Sequence, residues 1–244
     1  MTPAWSRRTG LIAYSRPGCE DCDAAVWVTR ANGSGRRRLP ADFGNLTDPA
    51  WSPSARALAA VKVGGGLYAI LAREGGSRPL LGRAVVEDPD WSPRGGEIAF
   101  ARRQGAANWD LFRIGSTGRG IRRLTRSRAQ ELAPDWSPDG RKIAFQRQDP
   151  SGAWSIYVMR ADGAGPHRLI AGTSTHSAEQ PAWSPDGRSL AFVGVTLRGT
   201  RIEVVRLGEG REPDRLTGPG LQAADPDWSP DGRRIVFSGK RATD

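Results

Sequence analysis

Residues 133–146 read Ala-Pro-Asp-Trp-Ser-Pro-Asp-Gly-Arg-Lys-Ile-Ala-Phe-Gln, and this stretch decides the fold. Its core recurs six times. The copies are AWSRRTGLIAYS from Ala4, AWSPSARALAAV from Ala50, DWSPRGGEIAFA from Asp90, DWSPDGRKIAFQ from Asp135, AWSPDGRSLAFV from Ala182 and DWSPDGRRIVFS from Asp227. Their tryptophans are Trp5, Trp51, Trp91, Trp136, Trp183 and Trp228, at intervals of 46, 40, 45, 47 and 45 residues. A fixed period of this size is the signature of a repeat architecture.

The fourth copy shows what one unit is. Ala133 to Ser137 is short and extended. Ser137-Pro138-Asp139-Gly140 is a turn, with proline setting φ at its second position and glycine closing it. Lys142 to Gln146 places Ile143 and Phe145 on one face at period two. The loop RQDPSGA leads to a third strand, Trp154 to Arg160. Ala161-Asp162-Gly163 turns the chain into a fourth, His167 to Ile170. No segment carries a helical period.

A four-stranded sheet of this size cannot bury both of its faces alone. Radial stacking around an axis buries them and leaves only short edges. The expected fold is therefore all-β, a β-propeller of four-stranded antiparallel blades with six repeat positions. The six tryptophans are expected to pack between blades. The units start near residues 3, 49, 89, 134, 181 and 226, in one domain spanning 1–244. The last unit has two strands, Asp225 onward and Arg233 to Ser238, followed only by KRATD. The ring is read as six positions with the sixth blade incomplete, whether stunted or belonging to a truncated gene product.

The net charge is +10. Three of the 36 basic residues are lysines (Lys62, Lys142 and Lys240), leaving 33 arginines. That bias is the mark of a GC-rich bacterial genome, and it weakens a reading of the arginines as selected for a partner. No run reaches the 18 or so apolar residues of a membrane-spanning helix. MTPAWSRRTG has no secretory-signal pattern, so none is expected in this chain. Cys19 and Cys22, in PGCEDCD, lack the second pair or matching histidines of a ribbon-type metal site, so a small loop disulfide or two free thiols are expected, with no metal and no cofactor.

The WSPDG-x-x-IAF phrase, the IYVM strand and the RRLT ending at Arg122 to Thr125 resemble the WD-like propeller repeats of the TolB family, over essentially the whole chain. Related repeats occur in the propellers of prolyl-oligopeptidase-type peptidases. The TolB resemblance implies an extracytoplasmic protein that binds a cell-envelope protein partner.

Ligands of propellers bind at a mouth of the central channel. The loops entering the innermost strands precede each Trp, and they are acidic. Asp48, Glu87, Asp88, Glu131, Glu179 and Asp225 lie three to five places before a Trp, and Asp90, Asp135 and Asp227 directly before one. A ring of carboxylates in a +10 protein reads as a site for a basic segment of a partner or for a cation. The alternative is that these side chains cap backbone amides and orient the strands. Asp139, Asp186 and Asp231 lie within SPDG turns and read as structural. Trp27, Trp109 and Trp154 read as inter-blade packing.

Catalysis has little support. His167 reads as solvent-facing and His176 as part of the loop AGTSTHSAEQP. No serine elbow, phosphate-binding loop or dinucleotide fingerprint is present. Basic clusters occur at Arg36–Arg38, at the arginines 122, 123, 126 and 128, and at Arg233–Arg234; the first two sit on fourth strands at the blade rims, and none has interleaved aromatics, which argues against specific nucleic-acid binding. The resulting expectation is a monomeric, non-enzymatic scaffold for protein–protein interaction. The alternative is a detached propeller domain of a prolyl-oligopeptidase-type hydrolase.

Overall fold

The computed structural model describes residues 2–16, 24–40, 44–73, 75–105, 108–210, 212–218 and 220–241; Cys19 and Cys22 lie outside them. The first sheet is β1 (Pro3–Trp5), β2 (Leu11–Arg16), β3 (Ala25–Arg30) and β4 (Arg37–Arg38). The second is β5 (Leu46–Trp51), β6 (Ala57–Lys62), β7 (Leu67–Leu71) and β8 (Ser77–Leu81). The third is β9 (Val86–Trp91), β10 (Glu97–Gln104), β11 (Asn108–Gly115) and β12 (Arg122–Arg123). The fourth is β13 (Glu131–Trp136), β14 (Lys142–Gln148), β15 (Trp154–Arg160) and β16 (His167–Ile170). The fifth is β17 (His176–Trp183), β18 (Ser189–Thr196), β19 (Gly199–Arg206) and β20 (Asp214–Arg215). The sixth has β21 (Leu221–Trp228) and β22 (Ile235–Arg241). Within every sheet the strands pair antiparallel in chain order. The fold is a β-propeller of five complete blades and an incomplete sixth.

The inner strands β1, β5, β9, β13, β17 and β21 contact one another in sequence, and β21 returns to β1. The ring therefore closes although its last blade is short. A backbone bond from Trp5 N–H to the Asp227 carboxylate crosses the seam.

The repeated phrase builds two local devices. In the first, the Ser137 hydroxyl is donated to Asp139 Oδ1 at 2.6 Å and accepts the Lys142 N–H at 2.9 Å, while Asp139 Oδ1 accepts the Arg141 N–H at 3.0 Å. Gly140 closes the turn at φ 66°. The same set recurs at Ser184–Asp186 and Ser229–Asp231, so these three aspartates are turn-formers. In the second, the inner strands β5, β9, β13, β17 and β21 each bulge just before their Trp, where the pairing register shifts. A proline (Pro49, Pro89, Pro134, Pro181, Pro226) sits two places before the Trp, where it interrupts the ladder of hydrogen bonds. The residue before it is left-handed in all five blades: Asp48 (48°), Asp88 (50°), Ala133 (48°), Gln180 (50°) and Asp225 (51°). Aspartate tolerates that conformation better than most side chains, which gives Asp48, Asp88 and Asp225 a backbone role before any other.

The core lies between blades. Trp91 packs with Ala59, Leu67, Ile98 and Phe100 between the second and third blades. Trp136 packs with Leu111, Ile143 and Phe145 between the third and fourth, and Trp183 with Val158 and Leu190 between the fourth and fifth. Trp5, Trp91, Trp136 and Trp183 are buried, and Trp51 and Trp228 half-buried. Trp27, Trp109 and Trp154 are half-buried on third strands; Trp109 lies against the cluster around Trp136, and Arg36 stacks over Trp27 at 5.8 Å.

Candidate functional site

The six inner strands enclose a lumen of about 500 Å³. Five of these strands bulge at the same place, and residues one and three positions before each of the six Trp line the lumen. The first layer is Ala4, Ala50, Asp90, Asp135, Ala182 and Asp227; the second is Thr2, Asp48, Asp88, Ala133, Gln180 and Asp225. Six of the nine acidic residues singled out in the sequence therefore meet in one channel. The other three do not line it. Glu87 is exposed, near enough to Asp48 for their charges to interact. Glu179 is half-buried beside the cleft between the fifth, sixth and first blades. Glu131 is fully buried and paired with Arg147, whose Nε lies 2.7 Å from Glu131 Oε1. Its position at the start of β13, paired with Arg147 on β14, fixes it within the sheet rather than in the lumen.

The aspartates directly before a Trp reach across to the next blade. Asp90 accepts the Trp136 N–H at 2.7 Å, Asp135 accepts the Trp183 N–H at 2.7 Å, and Asp227 accepts the Trp5 N–H. The second layer repeats the device: Asp88 accepts the Ala133 N–H at 3.0 Å, Gln180 and Asp225 exchange two bonds of 2.7 and 2.9 Å, and Thr2 donates to Asp48 at 3.1 Å. Capping thus does occur between blades, and within its own strand Asp227 also accepts the Trp228 N–H at 2.8 Å. Among the described residues none of these six carboxylates forms a salt bridge.

Crowding carboxylates in a walled lumen disfavours their charged forms. Burial pushes Asp88 up to about 7, reinforced by the charges of Asp48 and Glu87, and pushes Asp227 up to about 6. Burial also raises Asp90, and raises Asp135 well above the usual carboxylate range with help from Asp90. Asp48 and Asp225 shift upward for the same reason. Positive charge acts against this. Arg7, exposed at the mouth, favours the charged forms of Asp90, Asp135 and Asp227. It occupies the place that Pro53, Pro93, Pro138, Pro185 and Pro230 hold in the other five copies. The sequence signalled Arg7 by the break in the phrase, WSRR for WSPx. It gave no signal for Thr2 and Gln180, which complete the second layer.

Among the described residues no three His, Cys, Asp or Glu side chains converge in a way that could hold a metal ion. His176 is not in a loop but opens β17, with its Nε2 3.4 Å from Glu203 Oε2. His167 is exposed. No helix is long and apolar enough to cross a membrane.

The model of the TolB beta propeller domain family matches residues 81–242, more than half of the chain. No curated protein matches in sequence. In structure, the chain is similar to a putative TolB from Agrobacterium tumefaciens at 20% identity and a TM-score of 0.81, covering 98% of this chain and 89% of that one. It is similar to TolB from Acinetobacter baumannii at 19% identity and a TM-score of 0.80, covering 96% of this chain and 61% of that one. An oligogalacturonate lyase in complex with manganese aligns at 16% identity and a TM-score of 0.68, covering 99% of this chain and 70% of that one. At these identities the structural likeness establishes the fold alone.

Proposed function

This chain belongs to the TolB β-propeller family, and from that membership we propose that it is a non-catalytic scaffold whose acidic channel mouth receives a basic segment of a protein partner. The observation that carries the reading is the stack of six lumen aspartates with no salt-bridged cation, in a protein of net charge +10. Their raised pKa values mean that holding these charges together in the channel costs free energy at neutral pH. An incoming Lys or Arg lowers that cost by favouring the charged forms. Partial desolvation within the walls makes each such contact stronger than one on an open surface. A peptide suits the lumen better than a bare metal ion, because the carboxylates are spread around the wall and tied to backbone amides rather than gathered at one point.

The second-layer set Asp48, Asp88 and Asp225 is the part to alter, since Asn keeps an acceptor and tolerates the left-handed backbone. The test compares the wild type with the triple variant Asp48→Asn/Asp88→Asn/Asp225→Asn. Each is used to capture proteins from a bacterial lysate at high salt, with a thermal melt of both as a check on folding. A discrete band held by the wild type and lost by a folded triple variant supports the reading. The same band held equally by both contradicts it.

A further inference from the structure

A second cavity, of about 580 Å³, lies away from the channel between the first and second blades. Arg8, Arg37, Arg56 and Arg73 surround it, and Trp51 and Leu71 contribute apolar surface. The arginines come from four separate places: the β1–β2 turn, β4, the β5–β6 turn and the β7–β8 turn. All four are exposed, and no carboxylate is among the described residues lining the cavity. Arg37 donates to the Ala72 carbonyl at 3.0 Å; among the described residues Arg8, Arg56 and Arg73 form no salt bridge.

In a chain with 33 arginines, charge alone would mean little, but the repeat supplies an internal control. The turn position held by Arg8 in the first blade and Ser54 in the second is Asp139, Asp186 and Asp231 in the fourth, fifth and sixth. In those blades the aspartate accepts the backbone N–H of Arg141, Arg188 or Arg233, the counterparts of Arg56, and places a negative charge beside it. In the third blade the counterpart of Arg8 is Arg94, whose guanidinium is held by the Asp139 carbonyl at 3.0 and 3.2 Å. The acid is missing from the first three blades; in the third a carbonyl holds the arginine, while between the first two the positive charge gathers around a cavity.

We propose that this cleft is a binding site for an organic phosphate carrying more than one phosphoryl group, of the nucleotide class. Guanidinium forks match phosphoryl oxygens two at a time. The cavity is of a size that suits a small ligand. Its arginines would take the phosphates, and the surface of Trp51 and Leu71 the organic body. The site is separate from the acidic channel.

Calorimetry with ATP, inorganic triphosphate and adenosine tests it. The expected order of affinity is ATP, then triphosphate, with adenosine undetectable. Arg56→Ala/Arg73→Ala should weaken ATP at least about tenfold, the scale expected for losing charge-assisted hydrogen bonds. Ser54→Asp, which restores the acid of the other blades, should also weaken it. Arg188→Ala/Arg233→Ala removes the same charge elsewhere and should leave it within about twofold, since only general screening changes. All of these side chains are exposed, so thermal melts should stay at the wild-type value. The proposal is overturned if ATP does not bind at millimolar concentration, or if the two double variants lose affinity equally. Triphosphate binding as tightly as ATP would also overturn it, since the site would then recognise phosphate alone and no organic body.

Discussion

The fourth and sixth blades carry nearly the same phrase, DWSPDGRKIAF from Asp135 and DWSPDGRRIVF from Asp227, and they fold it to the same turn. Ser137 and Ser229 are both buried, and both make the same bonds to an aspartate and to the strand that follows. Beyond the turn the blades diverge. Ile143 and Phe145 are fully buried, packed between the third and fourth blades, whereas Ile235 and Phe237 are only half-buried. β14 is paired on both sides; β22 is paired only with β21, and its last three residues are exposed. Beside the sixth blade lies a cavity of about 840 Å³, reached by Ile12, Tyr14, Val193 and Phe237. The difference teaches that the phrase dictates a turn and a strand direction, while burial depends on the strands and blades packed beside it.

Truncating the tryptophans should separate the two blades most. Trp136→Ala is expected to lose about 3–5 kcal/mol, because the indole is buried between blades. Trp228→Ala should lose less, about 1–2 kcal/mol, because Trp228 is half-buried beside the incomplete blade. Urea melts of the two variants check this, and equal losses would erase the distinction between the blades.

Acidity should act on both blades together. The unfolded aspartates titrate near 3.8, while Asp88 and Asp227 titrate near 7 and 6 in the folded state. The folded protein therefore binds more protons than the unfolded chain between these limits, so stability is lost as pH rises through 6–7. After discounting for water in the lumen, the gain from pH 8 to pH 5 is expected to be ~1–3 kcal/mol. Below about pH 4 stability should fall again, as the turn aspartates, whose pKa values are held down by hydrogen bonds from Ser137, Ser184 and Ser229, become protonated. A series of thermal melts from pH 3 to 8 checks both limbs.

At pH 8, Asp135→Ala should lose about 1–3 kcal/mol by stripping the acceptor from the Trp183 N–H. Asp135→Asn keeps an acceptor and removes a strained charge, and should match or exceed the wild type. If both variants melt alike, the inter-blade bond contributes nothing. The smallest effect is expected from Ala133→Gly. Among the five bulge positions Ala133 is the non-polar one, held left-handed at φ 48°, and relieving it should add about 0.5–1 kcal/mol. The corresponding gain at Asp225 in the sixth blade should be smaller, since aspartate already tolerates that conformation and Asp225 also bonds Gln180 and Ser238.

The propeller was legible because its unit recurs at a fixed period and its turn residues have one mechanical reading each. The third strand Trp154–Arg160 and fourth strand His167–Ile170 fall where alternation and turn chemistry put them. The inner strand did not: β13 begins at Glu131 and bulges at Ala133, and a bulge leaves no mark on the alternation beyond its proline. For the same reason distance along the chain was a poor guide to the channel. Asp48, Asp88 and Asp225 face it because the bulge turns them inward, while Glu131, two residues earlier in its own blade, pairs with Arg147. The bonds from Asp90, Asp135 and Asp227 to the next blade's Trp were invisible because they join residues 46 or more places apart, or close the ring. His176 opens a strand instead of a loop because β18 extends to Thr196 and pairs with it.

The central claim is that the lumen carboxylates form a receptor for positive charge. The most direct test is calorimetric titration of the whole chain with an octalysine peptide at pH 8 and pH 5, at fixed salt, with Arg7→Ala alongside. The account predicts binding at pH 8, where Asp88 and Asp227 already carry their charges and release few protons; at pH 5 binding must first ionise them and releases protons. It predicts affinity at least about tenfold weaker at pH 5, where those groups are already neutral, and tighter binding when Arg7 no longer competes. Binding that is indifferent to pH and to Arg7, or no binding at all, would contradict it.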